Sequence, residues 1–290
     1  MSTSLSVAVL MSSIRSGTSL LYATLGEMVG QRAGIVNLGL EGNMLIGAAV
    51  GFAATFLTGS PYLGVAAAAL AGMVGNLLFA YIVVERRANQ LAAGLTLLFL
   101  GFGASALIGR PFIGVIITGL PRFGDFDPLV WLAVPTALLM GWLLFRTRWG
   151  LALRAVGEDP AVVFAAGRRP DLLQYEALAV GGLLGGIGGA HLSVAFTLSW
   201  DEGMTAGRGF IAIALVIFAK WNPLWAVIGA LIFGGAEALQ LSLQAGGADV
   251  SPFLMNMIPY LLTLIVLVFW GWNRRSAAPA ALGRSFFGVE

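Results

Sequence analysis

GLALRAVGEDPAVVFAAGRRP, residues 150–170, carries Arg154, Glu158, Asp159, Arg168 and Arg169, with Arg146 and Arg148 just before it. That density of charge keeps the segment out of a hydrocarbon core, while the sequence on both sides is too apolar to lie in water. The stretch is therefore a loop between membrane spans, and the rest of the chain is placed by counting outward from it. Its centre carries the signals of a short helix: Asp159 as N-cap, Pro160 at the first helical position, and Gly167 free to turn left-handed after the last turn. One or two turns over residues 160–166 are predicted. Val162, Val163 and Phe164 are apolar in this charged setting. Cover by a partner protein, by the bilayer surface or by the chain's own helices would each account for them.

Composition points the same way. Of the 290 residues, 58% are hydrophobic and 10% charged, where soluble domains carry about a quarter charged. Mean hydropathy is +0.89. At roughly 20 apolar residues per crossing, the chain has room for about eight or nine spans and no separate soluble domain. The expected fold is an all-α polytopic membrane protein of about eight or nine transmembrane helices, with broken or half-helices lining a pathway. It forms a single transmembrane domain over residues 1–275, followed by a loose tail over 276–290 with Ala, Pro and Gly.

Several chemistries are excluded. There is no cysteine, so no disulfide, thiolate metal site or Cys nucleophile. His191 is the one histidine; with no acidic neighbour in sequence it reads as a hydrogen-bonded packing or pore residue, and no metal site is expected. G-x-x-x-x-G-K-[ST], H-E-x-x-H and G-x-S-x-G are absent, so neither a P-loop nor an enzyme's catalytic set is expected here. The opening MSTSLSVAVLMSSIRSG has no basic n-region and no Ala-x-Ala site, so no cleaved signal peptide is expected.

From the first residue, 4–29 is apolar but interrupted at Arg15-Ser16-Gly17, which fits a surface helix before a span or one broken span. Glu27 is expected to be solvated or paired with Arg32. In AGIVNLGLEGNMLIG, residues 33–47, glycines and polar groups break an apolar run. Broken backbone in a membrane must be buried by protein or line a cavity, which makes this a candidate pathway wall with Asn37 and Glu41 as its polar groups. Glu41 either serves the pathway or stands as a helix-start carboxylate favoured by the dipole. Spans follow over 40–57, 62–84, 90–109 and 129–145, with a re-entrant or interfacial piece at 112–120. Residues 172–198 carry glycines four apart, the spacing of a closely packed central helix.

Residues 208–219 are short for a crossing and read as a half-helix with its N-terminus and Arg208 toward the pathway. Arg208 is expected to pair with Asp201, Glu202 or Glu237, of which Glu237 is the most attractive. Phe210 either packs or offers a stacking face. Glu237 and Gln240 fall about one turn apart on the next span, 224–243. A last span is expected over 253–272, interrupted by Asn256 and Pro259. With spans alternating in this way, Arg86, Arg87, Arg146, Arg148, Arg154, Arg168, Arg169, Lys220, Arg274 and Arg275 share one side, which the positive-inside rule makes cytoplasmic.

Three segments together carry a resemblance. AGIVNLGLEGNMLIGA, LRAVGEDPAVVFAAG and TAGRGFIAIALVIFAKWNPLWAVIGALIFGGAEALQL resemble, in that order, the permease subunit of nucleoside and simple-sugar ABC importers, within the wider ribose and branched-chain amino-acid permease group. The likeness runs from about Leu20 to about Trp270. It implies that Arg154, Gly157, Glu158, Asp159, Pro160, Val163 and Phe164 couple the chain to a separate ABC ATP-binding subunit. It places Asn37, Glu41, Arg208, Phe210, Glu237 and Gln240 along the substrate pathway. It also implies no cofactor in this chain, ATP and Mg on the partner ATPase, a second related permease subunit and an extracytoplasmic solute-binding protein. The expected setting is a prokaryotic plasma (inner) membrane, with lipid around the chain, a nucleoside or simple sugar as substrate, and no nucleic acid. The alternative is a stand-alone secondary transporter or channel using the intramembrane carboxylates Glu41 and Glu237.

Overall fold

The computed structural model describes residues 2–245 and 278–284, with single positions at 257, 261, 264, 265 and 268. Among the described residues every regular element is a helix. These are α1 (Ser2–Arg32), α2 (Leu40–Thr58), α3 (Pro61–Ala80), α4 (Gln90–Gly109), α5 (Pro128–Arg146), α6 (Arg148–Glu158), α7 (Pro160–Ala165), α8 (Pro170–Ala190), α9 (Arg208–Phe218) and α10 (Pro223–Ala245). Wide π-helical turns prolong α3 over Tyr81–Glu85 and α8 over His191–Phe196.

Six stretches among the described residues, containing α2, α3, α4, α5, α8 and α10, are long and apolar enough to cross a membrane. The other expected crossings differ in kind. α1 is long enough but is diluted by Ser, Thr and charge, α9 has only 11 residues, and the span over 253–272 lies almost wholly outside the described residues.

α1 runs unbroken through Arg15-Ser16-Gly17. Two of its hydroxyls bond back within the helix: Ser13 Oγ donates to the Val9 carbonyl (2.6 Å) and Thr18 Oγ1 to that of Ile14 (2.8 Å). Gly17 is needed for packing, since a Cβ there would come within 2.5 Å of the Ala230 carbonyl on α10.

α8 is the central helix, packed against α3, α1 and α2. The apolar groups alone do not bring these helices together in lipid; close backbone approach through small residues does. On α2, a Cβ at Gly47 would stand 2.6 Å from the Gly186 carbonyl of α8, whereas one at Gly141 on α5 would meet nothing within 4 Å. Gly47→Ala is therefore expected to destabilise the bundle by about 1–3 kcal/mol. A clear fall in its melting temperature in detergent, beside no fall for Gly141→Ala, is the result that checks it.

Beyond α4 the segment 112–120 is neither a span nor free. Ile117 and Leu120 are buried, and their N–H groups donate to the Leu198 and Val194 carbonyls at the end of α8 (3.2 and 3.3 Å). Residues 278–284, in the stretch expected to be loose, rest on the 33–39 break and the end of α6 through backbone hydrogen bonds.

Candidate translocation site and coupling surface

α9 rises only roughly 16 Å, about half a hydrocarbon core, so one of its ends opens inside the bundle. Gly207 begins it in the left-handed region (φ 81°), and the Gly207 position has no side chain with which to cap it. The cap comes from another helix. Glu41, in the first turn of α2 and 2% exposed, accepts from Thr205 Oγ1 (2.6 Å) and Gly207 N (2.7 Å) on Oε1, and from Gly209 N (2.6 Å) on Oε2. Gly209 must lack a Cβ, which would approach the backbone N and Cα of Glu41 to 2.5 Å. Of the two sequence readings of Glu41, the helix-start carboxylate is the one seen here, with an addition: it stands in the first turn of its own helix and also neutralises the positive end of a second.

Arg208 lies between the two glycines that Glu41 holds. Its Nη2 bonds to Glu237 on α10, its Nη1 donates to the Met204 carbonyl (3.3 Å), and Ser16 on α1 donates to the other oxygen of Glu237. Of the three acids open to it, Glu237 is the one it meets; Glu202 is taken by Arg110 at the exposed rim (2.6 Å). The Nε of Arg208 is buried without a hydrogen-bond partner. Phe210 is partly exposed, and Gln240 is half-buried further along α10. Glu41, Arg208 and Glu237 therefore converge on the start of α9, joining α1, α2 and α10 through it.

Asn37 belongs to a second network beside the first. Its Nδ2 donates to Asn76 Oδ1 on α3 (2.8 Å), which also accepts from Asn43 on α2, while Asn76 Nδ2 donates to the Leu178 carbonyl on α8 (2.9 Å). Glu27 Oε1 accepts from Asn37 N (3.1 Å) and from Gln31 Nε2 (2.9 Å), and Gln90 Oε1 accepts from Val36 N (2.9 Å). The non-helical residues 33–39 are thus provided for by side chains of α1, α3 and α4. Glu27 is neither solvated nor paired with Arg32: it is buried, and Arg32 reaches the Trp221 carbonyl instead (2.9 Å from Nη2). Asn43, Asn76, Gln31 and Ser16 are absent from the sequence-derived set; a lone polar residue within an apolar helix is a signal that points to Asn43 and Asn76, whereas Ser16 and Gln31 stand among other polar residues of α1.

His191 does have an acidic neighbour, supplied from far along the chain. Its Nε2 lies 3.6 Å from Asp127 Oδ2, outside hydrogen-bond range, while Asp127 Oδ1 caps α5 by accepting from Leu129 N (2.9 Å) and Val130 N (3.2 Å).

At the Arg-rich end, α6 and α7 form the surface of the 150–170 loop. α6 was not anticipated, yet its period is plain: Ala152, Leu153 and Val156 are buried and Trp149 partly so, and Thr147 Oγ1 accepts from Gly150 N (3.0 Å) as its cap. α7 forms as its signals require, with Asp159 Oδ1 accepting from Ala161 N (2.9 Å), Pro160 first, and Gly167 at φ 76°. Residues 162–164 do not form one exposed run. Val163 is 5% exposed and packs on Ala152, Val156 and Leu173, whereas Val162 (62%) and Phe164 (54%) face outward, because successive helical positions diverge by about 100°. A groove of about 470 Å³ lies between α6 and α7, lined by Leu151, Ala155, Val162 and Ala166 and flanked by Arg148 and Arg168. Arg154 is held back over the Phe145 ring (5.2 Å). Gly157 sits against the Arg32 carbonyl, and Glu158 receives Ala280 N (3.3 Å).

The chain matches the family described as branched-chain amino acid transport system / permease component over residues 9–267. It is 32% identical to the guanosine ABC transporter permease protein of Bacillus subtilis, with 91% of each chain covered. It is 33% identical to the nucleoside ABC transporter permease protein of Lactococcus lactis, with 93% of each covered. A Haloferax volcanii protein provisionally named as a glucose ABC transporter permease is 35% identical, with 98% of each covered. No solved structure matches the chain.

Proposed function

Because the chain belongs to the branched-chain amino acid transport system / permease component family, we propose that it is the transmembrane subunit of an ATP-driven importer for nucleosides or related simple sugars. It forms half of the translocation pathway, and a second, related permease subunit forms the other half. ATP and Mg are held by a separate ABC ATP-binding subunit, so hydrolysis is not this chain's own chemistry. A solute-binding protein delivers substrate on the extracytoplasmic side. The chain sits in a prokaryotic plasma (inner) membrane, with the 150–170 loop and the C-terminus cytoplasmic, as the concentration of arginines at that end indicates. The substrate class follows the relatives named for guanosine, nucleosides and glucose.

The observation that carries this reading is the outward pair Val162 and Phe164 on a six-residue capped helix among arginines. An apolar pair so placed in water fits a socket on another protein. Docked there, the loop moves with the ATPase, and the motion reaches α2, α9 and α10 through Arg208, Glu41 and Glu237. An ATPase biases that equilibrium only through contacts that differ between its two states. The stand-alone transporter reading gains nothing from the carboxylates, since Glu41 is occupied by three donors and Glu237 by Arg208 and Ser16.

Purification from native membranes in gentle detergent tests the proposal. The expected result is recovery of an ATP-binding subunit and a second permease, with the ATPase lost from Val162→Asp/Phe164→Asp while Val163→Ile retains it. A solitary protein that moves solute in liposomes without regard to ATP would overturn it.

A further inference from the structure

Residues 278–284 bridge two parts of the bundle that the importer reading requires to move together, and we propose that this segment positions the coupling loop by splicing the end of α6 to the 33–39 break. The inference rests on that reading. α6 ends at Glu158, so its last carbonyls have no partner within the helix. One of them, Gly157 O, accepts from Ala281 N (2.9 Å), and the Glu158 carboxylate accepts from Ala280 N (3.3 Å). Two residues on, Gly283 N donates to Gly34 O (3.1 Å), a carbonyl in the break that leads to Asn37. The Arg284 carbonyl then accepts from Gln90 Nε2 (3.4 Å), the same side chain whose Oε1 holds Val36 N. Pro279 is buried, and Leu282 packs against the main core.

The segment thus donates to acceptors on both sides, Gly157 O and Glu158 on one and Gly34 O on the other. Gly157 stands two residues before Asp159, the cap of α7, and Gly34 three residues before Asn37, so a shift of α7 is handed to the pathway wall through fixed hydrogen bonds. Free of this splice, α7 follows the ATPase while the break stays behind.

The absence of cysteine makes the splice testable in the assembled transporter. A Cβ at residue 34 would stand 3.6 Å from that of Ala281, within the range for a disulfide. Oxidation of Gly34→Cys/Ala281→Cys in membranes is expected to link the two positions, with uptake staying within about twofold of the reduced sample. A chain shortened after Ala277 is expected to keep ATP hydrolysis but to lose uptake by about tenfold or more. Glu158→Ala should raise the ATP spent per solute, and Glu158→Gln, which keeps an acceptor oxygen, should recover most of that loss. Normal uptake at normal ATP cost by the shortened chain would overturn the proposal; so would a cross-link that arrests uptake, since the segment would then have to let go. Should the shortened chain not insert, the cross-link and the Glu158 pair decide on their own. Uptake by the parent that ignores ATP would sink the importer reading instead, whereas cross-link formation reports on the docking alone.

Discussion

Glu41→Ala is expected to abolish solute uptake and to lower the melting temperature in detergent by more than any other single change at the start of α9. Three donors lose their acceptor at once: two backbone N–H groups at the start of α9 and the Thr205 hydroxyl. Each buried polar group left unpaired costs about 1–3 kcal/mol, and no water reaches them if the site stays closed. Glu41→Gln keeps one acceptor oxygen but presents an NH2 to a donor on the other side, so an intermediate loss is expected. Thermal unfolding of the two variants, read beside transport, decides the matter. An unchanged melting temperature for Glu41→Ala would mean that α9 is not held by this residue.

The second large effect is expected at Arg208 and Glu237. Glu237→Ala leaves the Arg208 guanidinium, whose Nε already lacks a partner, without its counter-charge, and breaking a buried pair from one side costs about 3–5 kcal/mol. Replacing both, as Arg208→Met/Glu237→Met, removes the stranded charge and should return stability to within about 1–2 kcal/mol of the parent. Uptake is expected to stay lost in that double variant, because the polar tie between α9 and α10 is gone. A double variant that is stable and imports normally would reduce the pair to packing.

Much of the helical order was legible because punctuation residues mark it. Asn89, Asp127 and Asp159 accept from the first turns of α4, α5 and α7, and Pro61, Pro128, Pro160, Pro170 and Pro223 stand at the first position of their helices. What could not be read locally depends on partners distant in sequence. The continuity of α1 through Gly17 rests on a close approach to Ala230, and the loose-looking tail owes its place to Gly34 and Gly157. Glu41 was recognisable as a costly group within an apolar stretch, but nothing near it in sequence announces that its task is to cap α9. The burial of Val163 was readable locally, because it stands three residues after Pro160 on the short helix α7 and shares that residue's buried face.

The wide turn His191–Phe196 has a consequence for the phase of the chain. There Thr197 N reaches back five residues to the Leu192 carbonyl (2.8 Å), so the turn holds one residue more than an α-turn. One extra residue slips the helical wheel of α8 by about 100° relative to an uninterrupted helix. The offset is felt at once, because the Val194 carbonyl inside the turn and the Leu198 carbonyl just past it receive Leu120 N and Ile117 N of the 112–120 segment. Removing one residue between Ala190 and Thr197 would swing these acceptors away and strand the N–H groups of two buried residues, so the length of the turn is what seats that segment against the end of α8.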